Sequence, residues 1–246
     1  MAELQPPEFH AGERGSSATA HDLPRLDAMV ERVRISAGNR ELRRLVDLGC
    51  GYGGLSTRIG TTLGITDIVG IDADEARLAV AAERGVSTFA LDLNHDALPV
   101  EDGSVSLVTS FGVLEYMVHY DNFFAEAARA LEPGGFLLFS MPNLGSYSNR
   151  LALLFGYQPR DVEISSHGRL YGMLPFYGTH TTKPPHIHAA TVRCMRALLT
   201  DAGFGSLEFR ALAPDFGRRA LRVVDRMLDP FPSVSRRFIV LATKRT

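Results

Sequence analysis

Between Leu45 and Thr243, short apolar runs alternate with stretches whose apolar residues recur every three or four positions. No other feature narrows the fold as much, because such alternation builds a mostly parallel sheet with helices on both faces, an α/β fold. Leu45–Leu48, Ile68–Ile71, Thr88–Leu91, Val105–Ser110 and Phe136–Met141 read as the first five strands, and Leu207–Leu212 and Phe238–Thr243 as the last two. Helices are predicted from His21 to Ile35, after the glycine turn Gly49–Gly54, and over Ala76–Arg84, Asn122–Leu131 and Phe216–Met227. Another starts at Thr191, whose hydroxyl can cap it, and runs to Ala202, where Gly203 stops it. Pro133-Gly134-Gly135 is expected to end the Asn122–Leu131 helix.

The stretch from Asn143 to Ala190 breaks the rhythm. It spans 48 residues, where a helix–strand connection usually needs ~2–6. Long irregular inserts in compact folds tend to carry function, and this one is rich in tyrosine and histidine. Residues 1–20 are polar and rich in Pro, Gly and Ser, the composition of a flexible arm. The expected organisation is therefore that arm, then one domain over 21–246 with a substrate-side insert at 143–190.

Composition excludes several classes. No apolar run reaches the ~18–20 residues of a membrane span, and the N-terminus lacks the basic-then-apolar pattern of a secretory signal. Two cysteines, Cys50 and Cys194, make no disulfide framework, so a reducing, cytoplasmic setting is expected. The net charge of −2 disfavours a nucleic-acid partner, which calls for a basic face. A homodimer remains open.

VDLGCGYGG at 46–54 is the central motif. Gly49 and Gly51 allow a sharp turn close to a ligand, and the helix that follows aims free N–H groups at it. Asp72 ends the second strand, where a carboxylate can accept both hydroxyls of a ribose. Gly49, Gly51 and Gly54 also satisfy the dinucleotide fingerprint. Two acids separate the readings. Asp47, two residues before the first glycine, would repel a pyrophosphate and attract a cationic group. Asp92, after the third strand, can accept from an adenine amino group, with Leu93 as an apolar wall.

In that order and spacing, DLGCGYGG, IDAD, LDL, FGVLEYM and RALEPGGFLLFSMPN resemble the class I S-adenosylmethionine-dependent methyltransferases of the "type 11" family. The resemblance covers roughly Leu45 to Asn143. It implies a Rossmann-like seven-stranded sheet whose last strand is antiparallel, and S-adenosylmethionine as cofactor. It implies that Gly49 and Gly51 pack on the cofactor and that Asp47 lies near its methionine part. Asp72, with Ala73 beside it, would hold the ribose, Asp92 and Leu93 would frame the adenine, and the Phe111 backbone would accept from the methionine ammonium. Removing the Asp72 carboxylate is then expected to weaken cofactor binding and leave thermal stability nearly intact. Two departures are Ser106, where relatives carry aspartate, and Tyr116, where they carry histidine.

A sulfonium is an activated methyl donor, so the chain's main task is to align donor and acceptor. A phenol or alcohol acceptor also needs a base within reach. His186, in the P-H-I-H segment ahead of a capped helix, is the first candidate, and His119 the second. Tyr116, Tyr177 and His180 are expected to contact substrate. Glu115 reads as a brace for its loop, and Cys50 as a packed thiol. His180, His186 and His188 could ligate a metal, but their spacing matches no signature and no carboxylate completes the set, so no metal is expected.

The functional expectation is a small-molecule methyltransferase, O-methylating a secondary metabolite, sugar or lipid-like precursor within a pocket walled by the insert. The competing readings are an N- or C-methyltransferase, a macromolecular one acting on RNA or protein, a cofactor-binding protein that transfers nothing, and a nicotinamide-dependent dehydrogenase.

Overall fold

A computed structural model describes residues 23–180, 185–212, 219–228 and 230–246. The expected arm at 1–20 lies outside the described residues. So do His21 and the 216–218 start of the last predicted helix.

Among the described residues seven strands form one sheet: β1 (Arg44–Leu48), β2 (Asp67–Asp72), β3 (Ser87–Ala90), β4 (Val105–Phe111), β5 (Leu131–Pro142), β6 (Phe204–Leu212) and β7 (Arg237–Lys244). Their order across it is β3-β2-β1-β4-β5-β7-β6. β1 pairs in parallel with β2 and β4, β2 with β3, and β4 with β5. β7 runs antiparallel between β5 and β6, as the resemblance implies.

Among the described residues there are seven α-helices: α1 (Leu23–Ala37), α2 (Gly54–Leu63), α3 (Glu75–Glu83), α4 (Asp121–Ala130), α5 (Tyr147–Leu154), α6 (Val192–Asp201) and α7 (Arg219–Leu228). Alternate strand residues face opposite layers. Leu45, Leu107 and Leu138 join α1, α2 and α3 through Leu26, Val33, Ile59 and Leu78. Val46, Val108, Leu137 and Phe139 join α4 and α6 through Phe123, Phe124, Met195 and Leu199. β4 is buried along its whole length. Burying each large side chain of this kind contributes about 1.5–3 kcal/mol.

The largest boundary difference from the sequence reading falls at β5, which starts at Leu131 and not at Phe136. Pro133-Gly134-Gly135 does not end the helix; α4 stops at Ala130, and Leu131 already pairs with Val105. The Pro-Gly-Gly segment lies inside β5, where the register shifts before Phe136 meets Leu107. Gly134 takes a positive φ of 74° there, so the turn chemistry makes an irregular strand entry and not a helix stop.

The long insert leaves and rejoins the sheet at one place, since Asn143 and Ala190 form an isolated parallel bridge. Asn143 fixes its start: its side-chain amide donates to the carbonyls of Pro232 and Ser235, at 3.1 and 2.8 Å.

Candidate cofactor and acceptor site

The strand order reverses between β1 and β4, and in open α/β sheets ligands bind at the carboxyl ends of strands beside such a switch. The glycine turn leaves β1 there. Gly49 has φ 81° and Gly51 φ 54°. A Cβ on Gly49 would lie 2.0 Å from Val113 Cγ2, whereas one on Gly51 would meet nothing within 4 Å. Gly49 therefore lets two loops close together, and Gly51 leaves its backbone bare to open space.

Asp72 ends the neighbouring strand and grips this turn. Its Oδ2 accepts from the Gly51 N–H at 2.9 Å and its Oδ1 from the Asp74 N–H at 3.0 Å. Each oxygen keeps a free lone pair. Ala73, next to it, is exposed, and Asp74 caps α3.

Asp47 is 2% exposed. Its oxygens accept from the hydroxyls of Ser56, in the first turn of α2, at 2.5 Å and of Thr109, on β4, at 2.7 Å. Burial raises its pKa to about 6, although both hydroxyls favour the charged form. The carboxylate thus lies behind the glycine turn, held by the two hydroxyls.

Asp92 follows β3 and is exposed. It accepts from the backbone and side-chain N–H groups of Asn94, at 2.9 and 2.8 Å, and pairs with His95 Nδ1 at 2.9 Å. These contacts, led by the Asn94 backbone, hold its pKa well below the ordinary carboxylate range. Leu93 is partly buried, and Phe111, the last residue of β4, is buried. Cys50 is buried, its thiol 3.7 Å from the Gly51 carbonyl, and burial raises its pKa.

A second group gathers beyond β4, β5 and β7. Glu115, 2% exposed, accepts from Arg237 Nη2 at 3.2 Å. The Glu115 carbonyl accepts from the Ile187 N–H at 2.7 Å, which draws the end of the insert over the turn after β4. His186, 8% exposed, lies against the Tyr116 ring with centroids 5.2 Å apart. Its Nδ1 is 3.4 Å from Asp161 Oδ1 and 3.3 Å from Glu163 Oε2, aligned for a hydrogen bond with neither. Burial opposes charge on this ring, but the two carboxylates outweigh it and raise the pKa to about 9. Burial raises the Tyr116 phenol to about 12, and the Glu115 charge adds to the rise.

The candidate acceptor residues therefore separate. His186, Tyr116 and Glu115 come together. Tyr177 joins from the side: the Arg160 guanidinium stacks 4.7 Å above its ring, and both border a cavity of about 10 Å³ beside Asp161, room for one water. His119 and His180 are exposed, with His180 Nδ1 2.9 Å from Thr179 Oγ1. His188, also exposed, contacts the Val118 carbonyl at 2.8 Å.

The sequence reading missed Asp161, Glu163 and Arg237. It held that no carboxylate completes a set with the histidines; in the fold, Asp161 and Glu163 stand beside His186, with donor atoms of the three within 4.8 Å of one another. A faint signal existed in the polar R-D-V-E at 160–163 and in a charged pair, Arg236-Arg237, at the mouth of an apolar strand.

Seven strands in this order, with a bare glycine turn at one tip and an acid at the next, define a Rossmann-like fold of the class I methyltransferase type. Residues 46–139 match the family model described as a methyltransferase domain. A Mycolicibacterium smegmatis protein named "Probable S-adenosylmethionine-dependent methyltransferase" is 33% identical over 106 residues, 43% of this chain and 40% of that one. The ubiquinone biosynthesis O-methyltransferase of Bordetella avium is 29% identical over 131 residues, 51% of this chain and 53% of that one. The match thus spans about half or less of these relatives' length. Among solved structures, phosphoethanolamine N-methyltransferase 2 of Haemonchus contortus, in complex with S-adenosyl-L-methionine, superposes with a TM-score of 0.56 at 17% identity, covering 89% of this chain and 53% of that one. Residues 46–139 thus form a methyltransferase domain, and the chain is similar to S-adenosylmethionine-dependent methyltransferases.

The residues present suit the family's cofactor. A Cβ at Gly51 would stand in open space, so the backbone there is accessible to a ligand. Asp72 keeps acceptor capacity for a diol, and Asp47 supplies negative potential behind the turn.

Proposed function

We propose that this chain transfers the methyl group of S-adenosylmethionine to a hydroxyl of a small molecule held beneath the insert at 143–190. The observation that carries the reading is the arrangement at adjacent strand tips: the open Gly51 backbone beside the half-exposed Asp72 carboxylate, with Asp47 behind both. Gly49, Gly51 and Asp47 would face the methionine part, Asp72 and Ala73 the ribose, and Asp92 with Leu93 the adenine. The Phe111 backbone would receive the ammonium.

When bound, the sulfonium supplies an activated methyl and needs only in-line approach of a nucleophile. The chain's own residues then orient the acceptor and exclude water, which strengthens electrostatic contacts in the site. Tyr116 and Tyr177 supply flat apolar surface with a polar end. The two carboxylates raise the His186 pKa to about 9 against the effect of burial, so it would hold a proton or an anionic acceptor atom and not act as the resting base. His119, exposed, is the remaining base candidate, with His180 at the insert's edge.

Hydroxyl acceptors of ring or lipid-like precursors are favoured by the similarity to a ubiquinone biosynthesis O-methyltransferase. The free thiols of buried Cys50 and exposed Cys194 suit a reducing, cytoplasmic setting. Among the described residues no helix is long and apolar enough to cross a membrane.

Calorimetry with S-adenosylmethionine, its demethylated product and NADH tests the first half. Micromolar binding of the first two and none of NADH is expected; selective uptake of NADH would overturn the reading. Mass spectrometry of incubations with catechols, phenols and sugars then tests the acceptor class, where a gain of one methyl on oxygen is the expected product.

A further inference from the structure

We infer that Asp161, Glu163 and His186 form a binding site for a divalent transition-metal ion, zinc by preference, that pins the insert over the acceptor side of the fold. The donor atoms of the three lie within 4.8 Å of one another. His186 Nδ1 stands 3.4 and 3.3 Å from the two carboxylate oxygens. Those separations match the edge of a tetrahedron with bonds of roughly 2.1 Å, the length of zinc bonds to imidazole and carboxylate.

The second observation is that Nδ1 is buried, points between the two carboxylates, and has no hydrogen-bond partner. A proton there would be aligned with neither oxygen, so hydrogen bonding leaves the centre incomplete. Charge points the same way. Glu115, Asp161 and Glu163 bring three negative charges, while Arg237, 3.2 Å from Glu115, and Arg160, 3.6 Å from Asp161, bring two positive ones. A metal ion bound at Nδ1 takes the place of the imidazolium proton and supplies the positive charge that balances these groups. A nitrogen donor beside two carboxylates selects zinc or its neighbours over magnesium and calcium, which prefer oxygen alone.

The backbone is already arranged around this point. The His186 N–H donates to Glu163 Oε2 at 2.8 Å, and the Glu163 N–H returns a bond to the His186 carbonyl at 3.2 Å. Binding would therefore tie residues 161–163 to the segment that also meets the Glu115 carbonyl through Ile187. The site does not depend on which acceptor is methylated, or on methyl transfer at all.

Tag-free full-length protein, stripped with EDTA and freed of chelator, is titrated with zinc chloride, and its metal content is measured after desalting. About one zinc per chain and a saturable rise in melting temperature are expected, because a ligand specific to the folded state stabilises it. Magnesium chloride should give neither. Glu163→Gln and Asp161→Asn keep side-chain shape and should cut retained zinc at least ~10-fold. A His180→Asn, His188→Asn double variant removes exposed imidazoles and should leave the stoichiometry unchanged. Cobalt chloride offers a reading that needs no variant, since a tetrahedral site gives intense visible absorption bands. Wild-type protein that retains under ~0.1 zinc per chain with no melting shift would overturn the assignment. So would Glu163→Gln retaining zinc like the wild type.

Discussion

Arg237 donates to Glu115 at 3.2 Å and so ties the first residue of β7 to the turn that leaves β4. Both side chains are buried, and no sequence pattern links positions so far apart. The pair supports the floor on which Tyr116 and His186 meet.

Removing one partner of a buried ion pair strands the other charge, which costs about 3–5 kcal/mol. Glu115→Ala and Arg237→Ala should each destabilise on that scale in urea unfolding. The double variant should cost less than the sum of the two, with a coupling of at least ~1 kcal/mol. Strict additivity would show that the contact contributes nothing specific.

Gly49 and Gly51 should respond differently to alanine. At Gly49 the new Cβ meets Val113 at 2.0 Å on a backbone with φ 81°, and overpacking plus strain should cost about 2–5 kcal/mol. At Gly51 the space is open and φ is 54°, so the cost should be about 1–2 kcal/mol, the left-handed penalty alone. Gly51→Ala should nonetheless weaken S-adenosylmethionine at least ~10-fold, because its methyl occupies the ligand's side of the turn. Unfolding curves and calorimetry on both variants decide this; undiminished affinity in folded Gly51→Ala would remove Gly51 from the cofactor surface.

The contrast between the two halves of the site explains what a sequence can reveal. Asp47, Gly49, Gly51 and Asp72 belong to two successive strand–turn–helix units, where turn chemistry, strand ends and helix caps are local and leave a pattern. Asp161, Glu163 and His186 meet across the irregular part of the insert that follows α5. Their proximity depends on the Asn143–Ala190 bridge and on the Ile187 contact to the Glu115 carbonyl, both products of the finished fold. The Pro133-Gly134-Gly135 segment misled for a related reason: its residues fit a helix stop, yet pairing of Leu131 with Val105 draws the chain into the sheet before they are reached.

Asp47 predicts two pH effects. Burial raises its pKa from 3.8 to about 6, and the Asp72 charge contributes to the rise. A carboxyl raised in the folded state stabilises most below the unfolded value, near 4, and that stabilisation is lost as pH climbs through about 6. Asp47→Asn cannot ionise, so its stability relative to wild type should improve by about 1–3 kcal/mol between pH 4 and pH 8. The second effect concerns the ligand. A cationic ligand favours the ionised carboxylate, so S-adenosylmethionine affinity should fall by up to ~10-fold per unit below pH 6. Flat calorimetric affinity between pH 5 and 7 would show that Asp47 does not sense the ligand's charge.

Asp72→Ala is where the structure changes an expectation drawn from sequence. The reading of a ribose carboxylate alone implies lost affinity with stability nearly intact. In the fold the same carboxylate accepts from the Gly51 and Asp74 N–H groups, and it spans the glycine turn and the entry to α3. Losing charge-assisted bonds of this kind costs about 1.5–3 kcal/mol for a buried group and less at a half-exposed one, so Asp72→Ala should lower stability by about 1–2 kcal/mol and weaken the cofactor at least ~10-fold. Asp72→Asn retains one acceptor oxygen but turns an amide N–H toward a backbone N–H. It should therefore recover no more than half of the lost stability and little of the affinity. Thermal unfolding with and without saturating cofactor separates the two roles. If Asp72→Ala melts with the wild type in the free state yet loses the cofactor-induced rise, the carboxylate serves the ligand alone and the turn holds itself.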